Sequence, residues 1–469
     1  MTVHVTAAGD LDATAVRRVA DGEPLELSDR LLHDLADSRT ATLDALAAAG
    51  PVYGVNTGMG LQSHLSVGST DQASYQDHLM LARAVGAEPW LDPRTTRAVV
   101  ATRLRTLLDP EAGISPALAR ALAGLLDNDV LPHVPSRGNG AAGEIIPLAH
   151  LGLAVNRTGY AFDAKEGVAF LQGVPVATAR ACLLAADTRM LAGQNLVTAA
   201  GSVALVRAPR DPYLAGLARG DDLLDQVTDA LRELVDEEDA PPMLQAPVSF
   251  RIVGPTTTAL LREVGHLEAA VVRALSGVTT SPALLDGRFV GTAGFDGFEL
   301  AAALDGVRLA ALHAADVTTA RLHRLLDPRV TGLPAQLSAE PGRQAGLVAV
   351  HKRATGLLHE VRRTAAPAAA GAMETSSGQE DVQSFGLEAA AALAECLEVL
   401  RDVTACELLA LHQARQLDAT PERGSRRLQM VLHKGSEHVS QDVNDRAFGE
   451  DVSAIVHAMS VGWANDVLP

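Results

Sequence analysis

Apolar residues return at helical spacing over long stretches of this chain, and that rhythm limits its fold more than anything else in the sequence. In LEAAAALAECLEVLRDVTACELLALHQARQL (387–417), Leu393, Leu397, Leu400, Leu408 and Leu411 recur at steps near three and four, with Glu395, Glu398, Arg401 and Asp402 between them. Residues spaced this way share one side of a helix, so the segment predicts a long amphipathic helix. Segments 95–108, 117–131 and 256–278 have the same texture, whereas the alternating β-branched runs that strands need are scarce. A short strand is expected near the N-terminus, at TVHVTA. Glycine and proline gather at MGLQSHLSVG, VPSRGNGAAG, DGRFVGTAGFDG and SSGQEDVQSFG, which read as loops between helices. The chain is expected to be mainly α, with no repeat, no low-complexity linker and no clear domain boundary.

Composition fits a large buried core. The 469 residues are 47% hydrophobic and 20% charged, enough for one large domain or two or three smaller ones without disulfide staples. A formal net charge of -18 argues against a general nucleic-acid surface or an anionic-membrane surface. Lysine occurs only at Lys165, Lys352 and Lys434, so arginine carries nearly all the positive charge. Cys182, Cys396 and Cys406 lie in apolar helical contexts without CxxC spacing and read as reduced core residues of a cytoplasmic protein. The N-terminus has no apolar run after a basic start, and no stretch reaches about 18 uninterrupted apolar residues, so a soluble protein without a membrane span is expected. His78, His133, His150 and His351 lack metal-ligand spacing, so no metal site is expected.

One loop invites a nucleotide reading. In RGNGAAGEIIPLAH (137–150), Gly138, Gly140 and Gly143 have the spacing of a dinucleotide-binding glycine turn. Such a turn must follow a buried strand, so that the next helix points its N-terminus at the phosphates. The residues before it are LLDNDVLPHVPSR, and Pro132 and Pro135 exclude a central strand. An acidic residue at Asp163, about twenty positions on, is a common coincidence.

The same residues carry a different resemblance. Val52-Tyr53-Gly54-Val55-Asn56-Thr57-Gly58, Gly140-Ala141-Ala142-Gly143-Glu144, Pro147-Leu148-Ala149-His150 and Lys165-Glu166-Gly167 follow one another in order. Gln245-Ala246-Pro247 with Ser249 and Arg251, Gly332-Leu333-Pro334, and Thr375-Ser376 with Gln379-Glu380-Asp381 continue the series. Together they resemble the histidine and aromatic amino-acid ammonia-lyases and aminomutases. The resemblance implies an ammonia-lyase-like fold: a central bundle of long helices and a small N-terminal α/β-like loop region. It implies a single chain over 1–469, with active-site loops over about 1–200, the long-helix bundle over about 200–420 and a C-terminal helical segment over about 420–469. It also implies a homotetramer whose active sites are shared between subunits.

The resemblance breaks at the chemistry. In that family an Ala-Ser-Gly triad cyclises and loses water to form a methylidene-imidazolone electrophile, whose methylidene carbon is the serine Cβ. Here the triad is Ala141-Ala142-Gly143. Ala142 has no hydroxyl to lose, so no such cofactor is expected. Neighbouring positions differ as well: Glu144 replaces an aspartate, Arg83 a histidine, Gln172 an asparagine, Val248 a tyrosine, and Arg288 and Val290 an asparagine and a histidine. So many changes at one site favour a natural divergent branch over an engineered Ser-to-Ala variant.

The residues left form a coherent set. Tyr53 resembles the family's loop tyrosine, a general base or acid; a phenol ordinarily ionises near pH 10, so it works as a base only where cations or donors stabilise phenolate. Glu380 matches an acidic residue that can hold an amine or shuttle a proton. Arg251 resembles the carboxylate-binding arginine, whose planar fork suits two oxygens. Arg83, Arg288, Gln172 and Asn56 are the further substrate-binding candidates, and Gln245 and Gln379 are expected to support loops. These residues predict an electrophile-independent lyase, isomerase or cyclase acting on a small polar carboxylated substrate, as ergothionase-like enzymes of the wider superfamily eliminate trimethylamine without the electrophile. A catalytically silent homologue with a binding role is the second reading.

Overall fold

The computed structural model describes residues 1–127, 131–236, 241–371, 373–420, 423–464 and 466–468. It contains two compact units, one made of Met1–Ala185, His266–Asp305 and Pro367–Ala391, the other of Ala186–Gly265, Gly306–Ala366 and Ala392–Pro469.

The first unit opens with the expected short strand, β1 (Val3–Val5), paired in parallel with β2 (Leu25–Leu27). Its site-bearing helices are α1 (Gln72–Arg83), α2 (Pro93–Leu107), α3 (Ile145–Arg157) and α4 (Glu166–Leu171). Helix α2 starts where the chain supplies a cap: Asp92 accepts from the Thr95 N–H at 3.0 Å, and Pro93 takes the first helical position, where no donor is needed. Four long helices supply residues to both units: α5 (Pro175–Leu205), α6 (Val253–Ser276), α7 (Phe298–Leu325) and α8 (Gly386–Leu417). Helix α8 matches the predicted 387–417 segment within a residue, α2 and α6 match 95–108 and 256–278 closely, and the 117–131 segment ends early. It forms a helix over Pro116–Ala123 and a 3-10 turn over Gly124–Leu126, and residues 128–130 lie outside the described residues.

Two elements escaped the periodicity argument. Helix α5 is buried along nearly its whole length, with Arg180, Asp187 and Arg189 half-buried among apolar and small residues, so it shows no clean stripe. The run Glu166–Leu205 is long and apolar enough to cross a membrane, but 89% of its most apolar window is buried in protein, as in the core helix of a large domain. DGRFVGTAGFDG, read above as a loop, contains half of an antiparallel hairpin of β3 (Ala283–Leu285) and β4 (Arg288–Val290). Asp286 and Gly287 turn it with φ of 49° and 71°, the left-handed pair for which an Asp-Gly dipeptide is suited.

Polar groups cross-link the second unit's core. The buried Arg321 of α7 makes a bidentate pair with the buried Glu407 of α8, at 2.8 and 2.9 Å. Ser202 of α5 donates to the same carboxylate at 2.7 Å, and Asn195 of α5 donates to Thr318 and Thr404 at 2.8 and 2.9 Å. Cys182, Cys396 and Cys406 are free and buried, and burial pushes each thiol up to about 12.

Lys165, which precedes α4 with φ of 70°, is fully buried and donates to the Ala112 and Glu111 carbonyls. Burial, aided by the charge on Arg39, pushes its ammonium from an ordinary 10.5 down to about 7. Above pH 7 the folded chain therefore sheds a proton that the unfolded chain keeps until about pH 10, so this residue's contribution to stability rises with pH across that window. The stability of the wild-type chain relative to Lys165→Met is expected to increase from pH 7 to about pH 9, by up to about 1.4 kcal/mol per unit. Guanidinium unfolding of both proteins at each pH measures it.

Candidate active site

The first loop of the site carries Tyr53. It is closed by its own polar groups: Asn56 accepts from the Val52 N–H at 2.6 Å and donates to the Gly50 carbonyl at 3.0 Å. Thr57 accepts from the Gly54 N–H at 3.3 Å and bonds to the Val52 carbonyl at 3.3 Å. The Asn56 amide thus uses its oxygen and one N–H to close its own loop. Gly54 is required, because its φ is +69° and a Cβ there would lie 2.9 Å from the Val168 side chain. Gln76 of α1, which sequence reasoning passed over, ties this loop down. Its buried amide donates to the Gly54 carbonyl at 3.0 Å and accepts from the Val168 N–H at 2.8 Å. Gln76→Leu leaves two buried backbone groups unpaired, so a loss of about 2–4 kcal/mol in chemical denaturation is expected, with faster amide exchange at Val168.

The second loop is the glycine-rich segment. Asn139 donates to the Gly143 carbonyl at 2.8 Å, and the Glu144 N–H donates to the Gly173 carbonyl at 3.0 Å. The Glu144 carboxylate reaches the first turn of α5 and accepts from the N–H groups of Val176 and Ala177 at 2.5 and 2.7 Å. These are free donors at a helix start, the usual place for a carboxylate. Burial pushes Glu144 up to about 8, opposed by the same two amides. Arg103 of α2 supports the floor from below. It is fully buried, donates to the Gln172 carbonyl at 2.9 Å and to the Ala169 carbonyl, and is pushed down to about 9 by burial.

The third loop carries Glu380. Its backbone pairs with Thr375, the Thr375 N–H donating to the Glu380 carbonyl at 2.8 Å. Its Oε2 accepts from the Ala142 N–H at 3.1 Å, which joins the acidic loop to the glycine-rich loop.

These three loops line one cavity of about 270 Å³ in the first unit, bordered by Tyr53, Met59, Ala142, Gln172, Phe295 and Glu380. Gln379, expected only to support the loop, also borders it, with Gly143, Ile145 and Ser281. Tyr53 is 37% exposed and its hydroxyl accepts from the Gly60 N–H at 2.8 Å. Arg83, half-buried at the end of α1, donates to the Leu79 carbonyl at 3.3 Å and to the Met59 sulfur at 3.6 Å. Burial lowers its pKa, and negative charge on Tyr75, Tyr53 and Glu380 opposes that, so Arg83 sits within electrostatic reach of the site. Tyr75 was also missed: burial raises its pKa while Arg83 opposes the rise.

Two predicted residues fall elsewhere. Arg288 is exposed on β4 and does not line the cavity, although Ser281 and Phe295, which flank the hairpin, do. Arg251 belongs to the second unit, on a short helical turn over Val248–Arg251, and its Nε is buried with no hydrogen-bond partner among the described residues. Among the described residues no group of three or more His, Cys, Asp or Glu is placed to hold a metal ion.

A helical fold whose tyrosine, glycine-rich and acidic loops converge on one amino-acid-sized cavity defines an enzyme of the ammonia-lyase type. The chain belongs to the aromatic amino acid lyase family, whose model matches residues 11–162 and 155–437. It is 28% identical to the histidine ammonia-lyase of Rhodospirillum rubrum, over 98% of this chain and 96% of that protein. It is 30% identical to the histidine ammonia-lyase of Aromatoleum aromaticum, over 90% and 86%. The fold is shared with ergothionase from Treponema denticola, solved with desmethyl-ergothioneine sulfonic acid, at a TM-score of 0.90 and 19% identity over 99% of both chains. It is shared also with tyrosine aminomutase from Streptomyces globisporus, at 0.91 and 23% identity over 98% and 97%. By sequence the relatives of this chain are ammonia-lyases, and an aminomutase shares its fold. The methylidene-imidazolone group does not fit residues 141–143: the side chain that borders the cavity at 142 is a methyl, and Ser136, the nearest serine upstream, is tied to the Pro89 carbonyl at 2.8 Å.

Proposed function

We propose that this protein is a lyase or isomerase that acts on a small carboxylated, amino-acid-like substrate without a prosthetic electrophile. One observation carries the reading: the Tyr53 phenol, the Glu380 carboxylate and an Ala142 methyl share one cavity, with Arg83 beside it. The family supplies the reaction class, and the side chains supply the means that remain once the electrophile is gone. Tyr53 moves the proton at the carbon beside the carboxylate. Arg83 binds a substrate carboxylate and offsets charge that develops as the proton leaves. Glu380 holds the substrate's cationic group, and Gln172, whose amide makes no hydrogen bond to a described residue, orients its polar end.

Elimination by this route suits a leaving group better than ammonia or a proton that is already acidic; isomerisation or cyclisation needs no departing ammonia. Arg251 is proposed to supply a second carboxylate contact within a homotetramer that builds each site from several subunits. The test is incubation with a panel of amino acids and betaines, followed by ammonia, trimethylamine and new ultraviolet absorbance. Conversion of a panel member by protein of unaltered mass supports the reading. Tight binding of a panel member with no conversion sinks it in favour of a silent binding homologue.

A further inference from the structure

We propose that His150 is a positioning residue for this site: as a neutral imidazole it latches the chain just beyond Arg83, and protonation of its ring opens the latch. Arg83 needs that support. Its guanidinium bonds only to the Leu79 carbonyl of its own helix, at 3.3 Å, and to the Met59 sulfur, a weak acceptor, at 3.6 Å. The backbone at the end of α1 therefore decides where it points. Beyond it, the strap 84–91 is laced to the stretch that leads into the glycine-rich loop. The Leu91 N–H donates to the Val134 carbonyl at 2.8 Å, and the Ser136 N–H and hydroxyl donate to the Pro89 carbonyl at 3.0 and 2.8 Å. Nearer Arg83 the hold passes to a side chain that titrates: the Gly86 N–H donates to Nε2 of His150 at 3.0 Å. Gly86 can come this close because it has no Cβ, which would lie 2.5 Å from the Pro135 ring. His150 stands on α3, which begins just after the glycine-rich loop, so one element holds both that loop and the end of α1.

The bond fixes the state of the ring. A backbone N–H can only donate, so Nε2 must keep its lone pair and the ring proton must sit on Nδ1. A proton added to Nε2 sets two donors head to head and removes the bond. The surroundings favour the neutral form. Burial lowers the pKa of His150 from its ordinary 6.5, and the charge on Arg157 of the same helix lowers it further. The ring also lies against Trp90 of the strap, with centroids 5.6 Å apart and a 49° tilt. The other ionisable groups on the elements around it are Asp77, His78 and Arg83 of α1, Glu88 of the strap and His133 of the stretch before the loop. Asp77 accepts from the Asn156 amide and the Phe162 N–H, each at 2.9 Å. Glu88 is exposed, and His133 is stacked on Trp90 at 5.3 Å. No carboxylate among them raises the pKa of His150. Below pH 6.5 the unfolded chain takes up a proton here that the latched fold refuses, so the latch weakens as pH falls.

Amide exchange on the full chain, expressed as protection relative to an unstructured amide at the same pH, tests the latch. From about pH 8 to about pH 5 the Gly86 amide of wild type is expected to lose protection roughly tenfold or more. The Ala84 N–H, which closes the turn carrying Arg83 onto the Met80 carbonyl at 3.1 Å, is expected to lose protection with it, while the Leu91 amide keeps its own. His150→Gln retains an acceptor that does not titrate, so its Gly86 protection is expected to stay flat, and His133→Gln is expected to fall as wild type does. Flat protection at Gly86 in wild type overturns the latch, and so does an equal loss at Leu91, which is general loosening in acid. A fall that persists in His150→Gln overturns the part given to His150. A fall at Gly86 without one at Ala84 overturns the positioning of Arg83. If His150→Gln does not fold, the nitrogen resonances of His150 in wild type decide: a titration midpoint that coincides with the loss at Gly86 is expected, and midpoints more than about one pH unit apart overturn the assignment. For a converting substrate, KM below pH 6.5 is expected to rise more steeply in wild type than in His150→Gln, and equal slopes overturn the link from latch to site. That kinetic arm rests on the reading of the cavity as the active site. The exchange arms use no substrate, so failure of the latch is distinguishable from failure of electrophile-free turnover.

Discussion

Tyr53→Phe is expected to lower turnover of any substrate the wild-type protein converts by about 10²–10⁴-fold, the range a positioned general acid or base supplies. Phenylalanine keeps the ring and removes only the hydroxyl, so the substitution isolates proton transfer from packing. Its cost to the fold is expected to be small, because the bond lost is from the Gly60 N–H in an exposed segment, where water can take the acceptor's place. Steady-state kinetics with a denaturation curve on the same sample separate the two effects. Turnover within about threefold of wild type would remove Tyr53 from the chemistry. The proton would then have to pass through Glu380, or through Tyr75, which Arg83 influences electrostatically.

Glu407→Ala is expected to destabilise the second unit by about 3–5 kcal/mol, because it leaves Arg321 charged and buried without its partner. Arg321 is 1% exposed and Glu407 is fully buried, so water cannot replace the carboxylate without opening the core. Ser202 would lose its acceptor at the same time. The midpoint of urea unfolding, followed by far-ultraviolet circular dichroism, gives the size of the effect. A shift equivalent to less than about 1 kcal/mol would show that the three helices hold together through apolar packing alone, with the ion pair contributing only what surface pairs do.

How far the sequence revealed this arrangement depended on what kind of signal each part left. Helix α8 was legible because its leucines form a stripe. Helix α5 was not, because a helix buried on all sides has no polar face to give it a period. The hairpin at 283–290 left a readable mark, the Asp286-Gly287 pair, but the glycines around it made the whole segment look like a loop. At the site, the covalent argument about Ala142 needed no structure, since a methyl cannot dehydrate in any fold. The bond from Ala142 to Glu380 joins residues 238 positions apart, and no local pattern encodes it. The same is true of Gln76, whose role depends on two backbone groups arriving from other segments. Asn56 and Arg288 illustrate what residue type and position leave open: the first amide closes its own loop, and the second side chain is exposed on its hairpin.

The claim that turnover here proceeds without a dehydrated backbone is tested most directly by the intact mass of a preparation whose activity has been recorded on a converting substrate. The account predicts the full mass of the encoded chain, with no water missing, in a sample that turns over. An active sample lighter by even a single water would contradict it.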